Sequence, residues 1–422
     1  MKIAFILGLF PTLSETFILN QITGLLDLGH EVDIFAHYNP HMGRIHPDVE
    51  AYRLMERTHY FSIPTNKVKR VLKALGLVVA NFYEAPTNLL QVLNVFKYGR
   101  YALSLRLLYA LVPFLGKEQE YDIVHCHFGP NGKIGVLLRD LAVQGKIVVT
   151  FHGYDISSYV RSQGNTVYDY LFRKADLFTV NTDFVQRRII ELGCDPGKIV
   201  KLPAGLPIEK FSFKKKESRP EGCVKVVTVA RLIEKKGLEY SIKATAKVMK
   251  KHPNVEYNIA GNGPLKGQLE CLISELGVEE HIKLLGWQDQ HQIGRLYQES
   301  HIFVLASVTA RNGDQEGQGL VLQEAQAMGL PVVSTLHNGI PEGVLDGQSG
   351  FLVPERDADA LAERLEYLIE HPDLWPDMGW AGRKFVEEHY DIKKLNRRLV
   401  EIYEALLKGK KLETGVASKV MG

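Results

Sequence analysis

VKVVTVARLIEKKGLEYSIKATAKVMK (residues 224–250) joins two patterns with different periods. Residues 224–232 are mostly apolar and β-branched, as in a strand covered on both faces. From Leu238 to Lys250 the apolar residues recur at helical spacing. A strand buried on both sides, a short turn and a helix form half of a parallel βαβ unit.

The same unit recurs in both directions along the chain. Downstream, VEYNIAG (255–261), IKLLGW (282–287), HIFVLAS (301–307) and PVVST (331–335) read as strands, with a helix expected at Ala358–Glu370. Upstream, the strands are KIAFILGLF (2–10), EVDIFAHY (31–38), YDIVHCHF (121–128), KIVVTFHG (146–153), DLFTVNT (176–182) and KIVKLPAG (198–205). Helices are expected at Glu15–Leu28 and Asn131–Leu141. Between the two series, FSFKKKESRPEG (211–222) is charged, carries Pro and Gly and has no apolar period, so it reads as a linker. The expectation is an α/β protein with two Rossmann-like, doubly wound domains facing each other across a cleft. Ligands in such sheets bind at the carboxyl ends of the strands. The first domain is expected at 1–210 with a helical insert at 66–117, and the second at 223–390. A C-terminal helix that packs back on the first domain, and a tail, are expected at 391–422.

Bulk properties agree with this division. A chain of 422 residues exceeds one ordinary core. It is 45% hydrophobic and 24% charged, with a net charge of +2, which argues against a dedicated nucleic-acid binder. No uncharged apolar run reaches the roughly 18 residues a membrane span requires. MKIAFILGLFPTLSE lacks a cleavage site and reads as a first strand, not a signal peptide. Four cysteines without CxxC spacing point to the reducing cytoplasm, with neither a disulfide nor a zinc framework.

RNGDQEGQGLVLQEAQAMG (311–329) marks where a ligand belongs. Gly317, Gly319 and Leu320 open a helix whose free N–H groups favour an anion. Glu316 and Glu324 stand on either side. In a continuous helix they would lie about 12 Å apart, beyond the roughly 5–9.5 Å of a hydrolytic carboxylate pair. Each is therefore read as an acceptor for hydroxyls at opposite ends of one diphosphate, against the plainer reading of a helix-start charge and a solvated helix residue. Arg231 and Lys236 in ARLIEKKG bring a planar fork and a point charge to the same crevice, suited to a diphosphate leaving group. AGNGP (260–264) adds a tight turn. The third Gly of GxGxxG is replaced by Lys266, which counts against a dinucleotide dehydrogenase.

The order Arg231-x4-Lys236, GNGP, LGW, then Glu316-x7-Glu324 followed by AMGLPVVST resembles retaining glycosyltransferase family 4, of the GT-B fold. The resemblance implies that Arg231 and Lys236 hold the donor's diphosphate and that Glu316 contacts the transferred sugar. It further implies that the backbone of Gly319, Leu320 and Val321 grips sugar and phosphate, and that Glu324 binds the ribose. Gly261 belongs to the donor-side turn, and Trp287 and Gln288 would meet the base. It implies no cofactor and no metal, and a UDP- or GDP-linked sugar as donor. Asp357-Ala-Asp359 has the form of a metal-binding DxD but fits a helix N-terminus better.

In the first domain, the resemblance assigns His152 of VVTFHGYD to the donor sugar and reacting carbon. His125 and His127 share one strand face. Three histidines near adjacent strand ends could ligate zinc, though no fourth ligand stands at motif spacing, so a polar pocket wall is the favoured reading. FPTLSETFI carries Thr12-x-x-Glu15, the form of a capping box, with Ser14 among the free N–H groups as a candidate donor contact. Many family members have Gly-Gly here. The S-E-T-F wording resembles the exopolysaccharide branch of colanic-acid and amylovoran type. Residues 66–117 hold eight Lys or Arg against one acid, Glu84, beside long apolar stretches. Such helices either cover the sheet or lie on an anionic membrane surface. The resemblance implies a saccharide acceptor, lipid-linked, on the inner membrane face.

The leading expectation is a metal-independent hexosyltransferase. A nucleotide-sugar 2-epimerase on the same scaffold is the alternative, and a non-enzymatic nucleotide-sugar sensor a third reading.

Overall fold

The computed structural model describes residues 1–40, 45–115, 120–216 and 222–410. Lys117 of the basic insert, residues 217–221 of the linker and the tail 411–422 lie outside the described residues. The first sheet has seven parallel strands: β1 (Lys2–Leu9), β2 (Glu31–Tyr38), β3 (Thr58–Tyr60), β4 (Glu120–His127), β5 (Gln144–Phe151), β6 (Leu177–Val180) and β7 (Ile199–Lys201). The second has six: β8 (Val224–Val229), β9 (Val255–Ala260), β10 (Ile282–Gly286), β11 (Ile302–Leu305), β12 (Val332–Thr335) and β13 (Gly350–Val353). Their orders are β3-β2-β1-β4-β5-β6-β7 and β10-β9-β8-β11-β12-β13. In each sheet the chain winds outward from the first strand, then returns to its other side. That reversal falls between β1 and β4 and between β8 and β11, where a doubly wound sheet opens a crevice. The loops after these four strands therefore set the site.

The central strands are apolar because both faces are covered. Ile3, Phe5, Val226, Val227, Phe303, Val304, Val332 and Val333 are all fully buried. The helix Leu238–Met249 buries Leu238, Ile242 and Val248 against the second sheet. The expected strands run too far at their carboxyl ends. β8 stops at Val229, two residues before Arg231, and of KIVKLPAG only Ile199–Lys201 pairs. These ends leave the ladder to line the crevice. β3 and β13, three and four residues long on sheet edges, were not expected, since so short a run shows no period.

Two segments tie the halves together. The helix Ile392–Leu407 buries Leu399, Ile402 and Tyr403 in the first domain's core, and Asn396 Nδ2 donates to Asn20 O at 3.0 Å. The start of the linker is not a free tether. Lys216 is buried, and its ammonium donates to the carbonyls of Tyr297 (2.8 Å) and Gln298 (3.0 Å) in the last turn of the helix Gln290–Glu299. Helix C-termini leave such carbonyls unpaired and favour a cation.

Candidate active site

The second-domain wall is built on the β8 and β11 loops. A short turn at Glu234–Lys236 drops Lys236 inward, where its ammonium meets the Glu316 carboxylate. Lys235 lies behind, 3.2 Å from Asp314 Oδ1 and 3.2 Å from the Gln315 carbonyl. Burial alone would raise the Glu316 carboxyl. The ammonium of Lys236, with that of Lys235, outweighs it and holds the group at about 2, fully ionised. The loop is held from below. The Glu316 N–H donates to His337 Nε2 at 3.1 Å, so that nitrogen is the acceptor and Nδ1 carries the proton, facing Glu355 Oε1 at 2.5 Å. Glu355 Oε2 accepts from the Thr309 N–H at 2.9 Å. Burial lowers His337 further, keeping it neutral.

Glu316 and Glu324 do not share a helix. The helix is Leu320–Ala327, Gly319 precedes it with φ +77°, and no side chain caps it. Among the described residues, the N–H groups of Gly319, Leu320 and Val321 have no partner, and they open beside the Lys236–Glu316 pair. Glu324, one turn on, accepts from the Tyr297 hydroxyl at 3.1 Å. Burial raises its carboxyl to about 7 against that bond and the pull of Lys236. The two glutamates are thus in opposite electrostatic states.

Arg231 is exposed beyond β8, its side chain without a hydrogen bond or ion pair among the described residues, and its charge acts on Glu15 across the cleft. Gly261 lies against the same strand end. Its N–H donates to Gly286 O at 2.8 Å, and an added Cβ would stand 1.8 Å from Ala230 O, so only glycine lets the two turns touch. Trp287 and Gln288 follow β10, the edge strand two places from the crevice. Trp287 is 41% exposed, and Gln288 Nε2 donates to Leu285 O at 2.9 Å. Both therefore follow the edge strand of the sheet and not a strand that flanks the β8–β11 crevice. Asp357 caps the helix Ala358–Glu370, accepting from the N–H groups of Asp359 and Ala360.

The first-domain wall is a stack of histidines. His152 follows β5, and Asp155 fixes its turn by accepting from the N–H groups of His152 (3.1 Å), Gly153 (3.0 Å) and Gly129 (3.0 Å). His127 lies between His125 and His152, with ring centroids 4.5 and 5.3 Å away. His127 Nδ1 and His152 Nε2 share a bond of 3.1 Å. His125 spends both nitrogens on hydroxyls, those of Thr150 and Tyr403, each at 2.6 Å. Burial lowers His125 and His152 to about 3 and also holds His127 well below the usual imidazole range, so all three are neutral. His127 Nε2 is buried without a partner, but among the described residues the three histidines do not bring their ligand atoms close enough together to hold one zinc ion.

The expected capping box at Thr12 and Glu15 does not form. Glu15 itself precedes the helix Thr16–Asp27, without a side-chain cap bond. Burial raises its carboxyl to about 7, and the Thr12 hydroxyl turns to that carboxylate instead of to a backbone N–H. Ser14 is exposed on this turn, with no bond to the cluster opposite.

The walls meet at the glycine loop. A Cβ on Gly317 would stand 1.8 Å from His152 O, so only glycine permits this approach. Thr182 Oγ1 donates to Gly317 O at 3.2 Å. Gln318 clamps Ala204 of the first domain twice, accepting from its N–H at 2.9 Å and donating to its carbonyl at 2.8 Å. Glu342 caps the first-domain helix Asp183–Glu191 through the Asp183 N–H (2.9 Å) and pairs with Lys201 at 2.7 Å. Sequence reasoning missed Lys235, Gln318, His337, Glu342 and Glu355, and gave Asp155, beside His152, no role. Only Lys235 and Gln318, beside residues already singled out, had a signal that could have found them.

Known proteins resemble this chain along its length. Residues 14–210 match Glycosyltransferase Family 4, and residues 209–385 match Glycosyl transferases group 1. The chain is 36% identical to the putative colanic acid biosynthesis glycosyltransferase WcaL of Escherichia coli (strain K12), over 96% of this chain and 100% of that one. It is 36% identical to the amylovoran biosynthesis glycosyltransferase AmsK of Erwinia amylovora, again over 96% and 100%. Among solved structures, Anabaena Alr3699/HepE in complex with UDP and glucose shares the fold, with a TM-score of 0.70 at 18% identity, over 96% of this chain and 100% of that one. By this full-length likeness, the chain belongs to glycosyltransferase family 4 and carries the GT-B fold.

Proposed function

We propose that this glycosyltransferase moves a hexose from a UDP- or GDP-linked donor to a lipid-linked saccharide acceptor, with retention of configuration and without a metal. The setting is exopolysaccharide synthesis on the cytoplasmic face of the membrane. Full-length relatives named for colanic acid and amylovoran biosynthesis support that setting. The observation that carries the mechanism is the Lys236–Glu316 pair beside the unpaired N–H groups of residues 319–321.

A diphosphate entering the crevice binds these N–H groups and draws the Lys236 ammonium onto itself, with Arg231 as the second cation. Glu316, released but still ionised, then accepts from hydroxyls of the sugar. Glu324 takes the ribose hydroxyls. Gly261, Trp287 and Gln288 lie towards the base, and Ser14 faces the donor from the opposite wall. The bond from the anomeric carbon to the phosphate oxygen breaks as the acceptor hydroxyl attacks the same face, and its proton passes to the departing phosphate. The cations and N–H groups stabilise the charge that develops there, the usual source of the largest rate gain. His152, neutral and oriented by His127, offers a hydrogen bond to the sugar without a competing charge.

Incubation with donor alone and with donor plus lipid-linked acceptor tests this reading. Transfer that requires the acceptor supports it. Rapid turnover of donor alone to an epimer would overturn it.

A further inference from the structure

The insert between β3 and β4 buries part of its apolar residues and leaves others uncovered. In the helix Lys67–Asn81, Ala74 is buried and Leu77 and Val78 pack on the first-domain core, which accounts for one face. The other face is also apolar. Val68, Leu72, Leu75 and Val79 form a stripe at helical spacing, and each is more than half exposed, from 58% at Leu75 to 73% at Val79. Elsewhere in the insert Tyr83 and Phe96 are fully exposed, at 97% and 104%.

Around the stripe stand Lys67, Lys69, Lys73, Lys97 and Arg100, all exposed. None of the insert's described Lys or Arg residues is in an ion pair. Lys73 and Lys97 lie over the rings of Tyr109 and Tyr98, and Arg100 donates to Gln163. Elsewhere the chain pairs its cations readily, as at Lys201, Lys235, Lys236 and Arg139. The insert leaves the sheet at the carboxyl end of β3, where Tyr60 Oη donates to Phe10 O at 2.9 Å.

We infer that this face seats on an anionic lipid surface, the stripe entering the headgroup–acyl boundary and the cations meeting lipid phosphates. Apolar side chains gain by leaving water, and unpaired cations gain by meeting a negative surface. A second copy of the chain is the poorer occupant, because it would set the same cations against each other. Insertion is shallow, since no helix among the described residues is long and apolar enough to cross a membrane. The inference does not depend on the donor or acceptor, and its test contains neither.

The full chain is co-sedimented with vesicles of phosphatidylcholine alone and of phosphatidylcholine enriched in phosphatidylglycerol, at low salt. Two variants are compared with it: Val68→Ser/Leu72→Ser/Leu75→Ser/Val79→Ser, and Lys67→Glu/Lys69→Glu/Lys73→Glu. The chain is expected to pellet with the anionic vesicles and much less with the neutral ones. Partitioning should fall on the order of 100-fold in the serine variant and become salt-insensitive and weak in the glutamate variant, with melting temperatures unchanged. Should the serine variant fail to fold, the glutamate variant decides. Failure of the chain to pellet, equal binding by the variants, or a dimer in sedimentation velocity that the variants abolish would each overturn the inference.

Discussion

The centre of the second-domain wall is built from charged, paired groups, whereas the first-domain wall carries a stack of neutral histidines. Lys236 and Glu316 lie in contact under partial burial, and Lys235 and Asp314 repeat the arrangement behind them. Opposite, His125, His127 and His152 are stripped of water and stacked, His127 bonded to His152 and His125 to the hydroxyls of Thr150 and Tyr403. Both walls are buried, so burial does not distinguish them. The difference lies in what each presents to a ligand. A wall of cations and free N–H groups suits a diphosphate, and a wall of neutral rings suits an uncharged sugar. On the proposed reading, one fold used twice divides leaving group from reacting carbon.

Removing charge from the second wall should have the largest effect. Lys236→Ala and Glu316→Gln are each expected to lower transfer by about 10³-fold in kcat/KM. Lys236→Ala should also cost roughly 3 kcal/mol of stability, because it strands a buried carboxylate, measured by urea denaturation at neutral pH. An equal loss from neutralising residues on the first wall would break the comparison. His152→Ala is expected to lower kcat by roughly 100-fold while leaving nucleoside-diphosphate affinity unchanged by calorimetry. A matching loss of that affinity would show that the first wall holds the diphosphate too.

Acid should distinguish the walls by window. The histidines have folded pKa values depressed below 6.5, so their contribution is complete above pH 6.5 and is lost as pH falls towards about 3. Glu316 is depressed from 4.5 to about 2, so its contribution stays complete above about pH 4.5 and fades below that. Glu324 runs the other way. Its carboxyl is raised from 4.5 to about 7, so its protonated form adds stability at low pH that is lost as pH rises through 7. Chemical denaturation from pH 7 to pH 4 should therefore show a first loss between pH 6.5 and 4.5, reduced in His127→Asn. The smallest effect is expected from Tyr403→Phe, which leaves His125 Nδ1 unpaired at a cost of about 1 kcal/mol, read as a drop in melting temperature.

Much of this was legible in the residues. The two-sheet fold follows from strands such as VKVVTV and HIFVL, because burial on both faces leaves few polar positions. The glycine loop, Lys236, Glu316 and the Asp357 cap were legible because their roles are local: a turn, a helix start, a fixed offset. The rest depends on residues distant in sequence. His337 and Glu355 brace Glu316 from 21 and 39 positions away, and no spacing rule links them. Gln318 meets Ala204, and Glu342 meets Lys201, only once two domains have closed. Thr12 misled for a related reason. Its hydroxyl had a buried carboxylate within reach, and that demand outweighed the local cap.

The central claim is that a diphosphate rests on the N–H groups just past Gly317, between Arg231 and Lys236. Calorimetric titration of whichever of UDP and GDP binds more tightly, into the native chain and into Arg231→Ala/Lys236→Ala, tests it most directly. The account predicts a loss of affinity of about 100-fold or more, from two charge-assisted contacts. Equal affinity in both proteins would contradict it.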